Sequence, residues 1–137
     1  MLFITAILVA FAATNTFAQT KTPSAVEASF KRSFAEAENP SWTVVSPLFR
    51  ADFTLNNESL TAFFDADGEL VASSRSLKVN QLPIALQFAL QKHVGNYTVS
   101  SLFEVDRKDG VVYYARVADQ RSERLLRSTS YGEWVTN

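Results

Sequence analysis

Asp65-Ala66-Asp67-Gly68-Glu69 places three carboxylates within five residues, a cluster that invites a calcium reading. An EF-hand loop, however, needs further oxygen ligands and a distal glutamate at set spacing, and here a strand-like run follows at once. The same residues suit a hairpin turn, because Asp can bond its own backbone and Gly can take a positive φ. The expectation is a turn and no metal site. His93 is the single histidine. It has no set of converging ligands and no serine on a defined elbow, and it suits the last turn of a helix, where an imidazolium favours the dipole. Nothing selects a carboxylate pair for glycoside hydrolysis, and no glycine-rich phosphate loop is present. With no cysteine, disulfides, thiolate metal sites and cysteine nucleophiles are excluded. No catalytic residue is nominated, no cofactor is expected, and the chain reads as a non-enzyme.

Recognition chemistry remains. Thr22 to Glu69 carries eight acidic and three basic side chains, whereas Arg107 to Arg127 carries six basic and three acidic ones. On the outward strand face the alternation places Arg50, Phe63, Tyr114, Arg116 and Arg127, a mixture of aromatic and guanidinium groups. Such groups dominate protein interfaces, since they bury large area and hydrogen-bond at the edge. The plainer alternative is a solvated sheet face with scattered aromatics. A formal net charge of −1 gives no electrostatic reason to expect nucleic-acid binding.

The elements that must position these groups follow from hydrophobic period. Val26, Phe30, Phe34 and Ala37 recur at helical spacing, so a first helix is expected over Pro23 to Glu38, stopped by Asn39-Pro40. Ser41 to Val45 and Leu48 to Leu55 read as strands. In the second of these Phe49, Ala51, Phe53 and Leu55 share the core face. Ser59 to Phe64 and Glu69 to Ser74 complete a four-stranded meander around the Asp65 turn. A second helix is expected over Lys78 to Val94, with Asn80 as cap, Pro83 in its first turn and Gly95-Asn96 as stop; Leu82, Ala85, Leu86, Ala89 and Leu90 line its inner face. Strands then resume around Tyr97 to Val105, Val111 to Ala118, Glu123 to Ser128 and Glu133 to Thr136.

The order helix, four strands, helix, four strands implies an internal repeat. Placing Gly68 on Gly132 lays Glu69-Leu70-Val71 on Glu133-Trp134-Val135, and Phe49, Ala51 and Phe53 on Tyr113, Ala115 and Val117. The last three are therefore expected to face the core, leaving Tyr114 and Arg116 outward.

Composition is that of a globular protein, with 47% hydrophobic and 20% charged residues. Residues 1–18, MLFITAILVAFAATNTFA, hold no charge and end in small residues, the pattern of a signal peptide cut near Ala18, although the usual basic residue near Met1 is missing. A periplasmic or secreted protein is expected, with no transmembrane segment after cleavage. Its mature part, 19–137, is expected to be one domain of two halves, about 23–76 and 80–137.

Asn39-Pro40-Ser41-Trp42, Phe49-Arg50-Ala51-Asp52-Phe53, the Thr61 to Leu70 hairpin, Leu82-Pro83 and Gly110-Val111-Val112-Tyr113-Tyr114 together resemble the PepSY-like, or β-lactamase-inhibitor-like, family of small secreted bacterial proteins. The resemblance spans most of Ser24 to Val135. It departs from the family near the end, where Ser128-Thr129-Ser130-Tyr131-Gly132 replaces a second Phe-Asp-x-Asp-Gly turn. It implies an α+β fold, an antiparallel sheet of two α-β-β-β-β pseudo-repeats with both helices packed on one face, and a binding role. The expected function is a non-enzymatic extracytoplasmic protein-binding module whose sheet restrains a secreted or periplasmic hydrolase. The alternative is a carrier of small apolar ligands, with a pocket between helices and sheet lined by Phe30, Phe34, Phe53 and Phe64.

Overall fold

Two proline carbonyls start the two α-helices. In the computed structural model, which describes residues 21–137, the Pro23 carbonyl accepts the Val26 and Glu27 N–H groups at 3.0 and 3.1 Å, and the Pro83 carbonyl accepts those of Leu86 and Gln87 at 3.0 and 3.1 Å. Proline suits this place because it lacks an N–H that the first turn could not satisfy anyway. The expected signal peptide and its cleavage point lie outside the described residues.

The elements are α1 (Ser24–Ser33), β1 (Glu38–Val45), β2 (Leu48–Leu55), β3 (Glu58–Phe64), β4 (Leu70–Ser76), a 3-10 turn (Val79–Gln81), α2 (Ile84–Val94), β5 (Thr98–Arg107), β6 (Gly110–Ala118), β7 (Glu123–Ser128) and β8 (Trp134–Thr136). The fold is α+β: the strands form an antiparallel sheet in chain order. No helix among the described residues is long and apolar enough to cross a membrane. The chain divides into two compact units, Met1–Ser73 and Ser74–Asn137, and the division falls within β4.

In the first unit, α1 carries Glu27 in its first turn and Lys31 and Arg32 in its last, matching the helix dipole. Its buried Val26 and Phe30 pack on Ala51, Phe53, Ala62 and Phe64, with Phe34, Trp42 and Phe49 partly buried around them. Phe30 meets Phe53 edge-on at 4.9 Å and Trp42 at 5.4 Å. Each such ring pair contributes about 0.5–1.5 kcal/mol beyond burial. This cluster also shortens α1 relative to the expected helix end at Glu38. Phe34 leaves helical geometry at φ −134° and ψ 57°, and its ring lies 4.7 Å from Phe53. The chain then joins the sheet at Glu38, earlier than expected, with Asn39 at φ 50° and an irregularity in pairing before Ser41.

In the second unit, α2 sends Leu86 and Leu90 into a core with Leu102, Ala115, Val117, Leu126 and Trp134. The Trp134 indole N–H donates to the Leu86 carbonyl at 3.0 Å, tying β8 to the helix. Asn80 does not cap this helix. It sits in the 3-10 turn, where the Gln81 side chain accepts the Lys78 N–H at 2.7 Å, and Pro83 takes the cap position of a helix that starts later than expected. Gly95 ends it at φ 55°. Tyr113 packs at the edge of this core, so the expected inward face of β6 is the observed one.

The turns before β4 and β8 are built alike although their sequences differ. Asp65 N–H donates to the Glu69 carbonyl at 3.0 Å and Gly68 N–H to the Asp65 carbonyl at 3.1 Å; Thr129 and Gly132 make the same bonds at 2.8 and 3.2 Å. The Asp65 carboxylate accepts the Asp67 and Glu69 N–H groups at 3.0 and 2.9 Å, and the Thr129 hydroxyl accepts the Glu133 N–H at 3.2 Å. Threonine thus serves the Asp65 role in the second turn, and Asp65 spends its carboxylate on the backbone.

Gly68 holds φ 86°, and a Cβ there would lie 2.6 Å from the Ala25 carbonyl oxygen of α1. Gly68→Ala should therefore destabilise the chain by about 1–3 kcal/mol, the scale of a strained backbone, with the steric term pushing it to the upper end. A urea-unfolding midpoint equal to wild type would refute the close approach.

Candidate functional site

On the β2–β3 face away from α1, Arg50 stands opposite Phe63 and Asp52 opposite Thr61. Asp52 accepts hydrogen bonds from Arg50 Nε and Nη2 at 3.1 and 2.9 Å. The Thr61 hydroxyl donates to the same carboxylate at 2.7 Å. Arg50 is half-buried in this arrangement, and Phe63 is not exposed at all. Leu48, on the same face, is 1% exposed.

The β5–β7 face away from α2 repeats the pattern. Tyr114 lies opposite Phe103 on one side and Arg127 on the other. The Phe103 and Tyr114 rings stack at 5.4 Å with planes 17° apart, and Tyr114 is 3% exposed. Arg116 keeps 30% of its side chain exposed while its Nε pairs with Glu123 at 3.2 Å. Arg127 is half-buried.

The expected exposure is therefore corrected for Phe63 and Tyr114, which are buried, and holds in part for Arg50, Arg116 and Arg127. Period-two alternation assigns a residue to a face; it does not say whether that face is open. Here large side chains occupy both faces of the strands, and rings such as Phe103 and Tyr114 cover one another. Arg50 and Arg127 stand across the strands from the buried Phe63 and Tyr114, and Arg116 from Ser101 and Leu125.

Burial pushes the Tyr114 phenol above its ordinary 10.0, with Arg107 and Arg127 pulling it back. Tyr113, on the α2 side, is also raised, by burial first and then by the charge of Glu104, to which it hydrogen-bonds. Glu104 in turn accepts from Arg75 Nε at 3.1 Å. His93 is exposed in the last turn of α2. No group of three or more acidic or histidine side chains among the described residues converges on a metal position.

A groove of about 380 Å³ opens beside α1, lined by Glu27, Phe30, Lys31, Phe34, Ala35, Ala37, Pro40 and Trp42. It differs from the expected pocket. Phe30 and Phe34 line it, while Phe53 and Phe64 lie in the packed core beneath, and Trp42 of β1 supplies the facing wall. Sequence reasoning also missed Ile84 and Phe88, which are 69% and 61% exposed on α2. The signal was present: with Leu86 and Leu90 facing inward, positions two residues away fall about 200° around the helix.

No family model matches the chain, and no curated protein matches it. Solved structures do. A protein from Bacteroides eggerthii provisionally described as periplasmic aligns with a TM-score of 0.79 at 18% identity, over 85% of this chain and 87% of that one. A DUF2874 family protein from Bacteroides uniformis gives 0.78 at 19% identity, over 84% and 87%. A BLIP-like protein from Bacteroides fragilis gives 0.74 at 18% identity, over 87% and 88%. This chain shares the BLIP-like fold. At such identity the likeness is one of fold. It meets the β-lactamase-inhibitor-like half of the expected resemblance, and the PepSY half has no family model behind it.

Within this BLIP-like fold the buried Tyr114 phenol makes stability fall at alkaline pH. The folded chain holds the Tyr114 proton more tightly than the unfolded chain does, so this contribution is full below pH 10.0 and is lost as pH rises through the folded value. Tyr114→Phe should flatten part of the fall in urea midpoint above that pH. An equally steep fall in the variant would show that Tyr114 titrates as if unburied.

Proposed function

We propose that this protein is a non-enzymatic extracytoplasmic module that binds another protein through the sheet face carrying Arg116 and Arg127. The observation that carries this reading is the placement of those arginines: Arg127 stands across the strands from Tyr114, whose ring stacks on Phe103, and Arg116 pairs with Glu123 while keeping 30% of its side chain exposed. Arginine presents a planar fork of donors and is enriched among residues that dominate interface energies. Arg50, fixed by Asp52, is the corresponding group of the first unit. The BLIP-like fold and the periplasmic description of a fold neighbour support the compartment and the binding role. A secreted or periplasmic hydrolase is the partner class we favour.

In a pull-down from the native extracytoplasmic fraction, Arg116→Ala/Arg127→Ala should lose its partner by about tenfold or more, since interface arginines of this kind contribute ~2 kcal/mol each. These side chains are partly exposed, so the variant should fold. Recovery of an identical set of proteins by wild type and variant would remove the interface.

A second reading rests on the groove beside α1. Its size and its three aromatic walls suit a small apolar ligand, and Glu27 and Lys31 at the helix surface would orient a polar end. An apolar fluorescent dye should then bind saturably to wild type and fail to bind Ala37→Phe, in which the added ring fills the space. Failure of the dye to saturate wild type would eliminate the carrier role.

A further inference from the structure

Four large apolar side chains of the Ser74–Asn137 unit stand exposed around α2: Val79 at 40%, Ile84 at 69%, Phe88 at 61% and Tyr131 at 90%. Ile84 and Phe88 are one turn apart on the side of α2 opposite Leu86 and Leu90, which enter the core. Val79 lies in the 3-10 turn leading to the helix. Tyr131 precedes Gly132, where a Cβ would lie 3.3 Å from the Ala85 Cβ, so its turn rests against the first turn of α2. The four thus stand on elements that meet at α2.

Charge around this surface is mainly positive. From Ser76 to Phe103 there is no Asp or Glu, and Lys78 and Lys92 flank the apolar residues. Glu133, after Tyr131, is the one acidic side chain on these elements. A second copy is a poor occupant. Two-fold antiparallel pairing of α2 about Leu86 would bring Lys78 of each copy toward Lys92 of the other, with no helix carboxylate between them. The surface is also a convex helix with protruding side chains, a shape suited to a soft interface. Aromatic and branched aliphatic groups with lysines beside them are the composition of elements that lie in the headgroup boundary of a membrane.

We propose that this face of α2 docks on an anionic lipid bilayer. Val79, Ile84, Phe88 and Tyr131 enter the headgroup boundary, and Lys78 and Lys92 meet the lipid charge. The absence of cysteine from the chain makes the test direct. A single Phe88→Cys variant of the full chain carries an environment-sensitive fluorophore, and Asp109→Cys, at the β5–β6 turn, carries the same label as control. Vesicles of equal parts phosphatidylglycerol and phosphatidylcholine should brighten and blue-shift the label at position 88, and a nitroxide-bearing lipid should quench it. The control should not respond, and phosphatidylcholine alone should bind ~tenfold more weakly. Two results would overturn the proposal. One is a silent label at position 88 while the protein sediments with vesicles, which assigns binding to another segment. The other is a label that brightens with protein concentration in the absence of lipid, which assigns the face to a second copy.

Discussion

Alternation of side chains along β2 and β6 is the constraint on which the rest of the structure depends. Ala51 and Phe53 in one unit, and Ala115 and Val117 in the other, lie in the cores beneath α1 and α2. A shift of one residue in either strand would carry Arg50 or Arg116 under a helix, where a guanidinium without a buried partner is strongly unfavourable. The register is thereby fixed, and with it the face that holds the arginines.

The two units reach the same result with different residues, which shows what the fold requires. Each helix starts on a proline carbonyl. Each unit closes its last hairpin with a glycine at positive φ beside a polar side chain that accepts a backbone N–H. That side chain is aspartate in one turn and threonine in the other, because the bond needs an oxygen at that place and not a charge. The aromatic load differs too: the first core gathers Phe30, Phe34, Phe53 and Phe64, whereas the second is aliphatic and holds Trp134 by its hydrogen bond to Leu86.

Much of this was legible in the sequence, and the failures share a cause. Strand positions, turn residues and the inward faces of β2 and β6 follow from period and local chemistry, which act over a few residues. The end of α1 was not legible, since Phe34 leaves the helix to reach Phe53, a tertiary contact that overrides local propensity. Burial of Phe63 and Tyr114 was equally hidden, because alternation names a face without saying what covers it. Of the five residues expected on the outward face, Arg50, Arg116 and Arg127 keep some access to solvent, whereas Phe63 and Tyr114 do not. Ile84 and Phe88 lie on the outer side of α2, opposite Leu86 and Leu90, and the period of the inner stripe does not say that large apolar groups stand there.

Thiol reactivity at four positions tests the central alternation most directly, since the chain has no cysteine of its own. Single cysteines replacing Ala51 and Ala115, both 0% exposed, should resist a polar maleimide in the folded protein. Cysteines replacing Asp52 and Arg116, whose side chains are 39% and 30% exposed, should react readily. Equal labelling of Ala51→Cys and Asp52→Cys, or of Ala115→Cys and Arg116→Cys, would contradict the account.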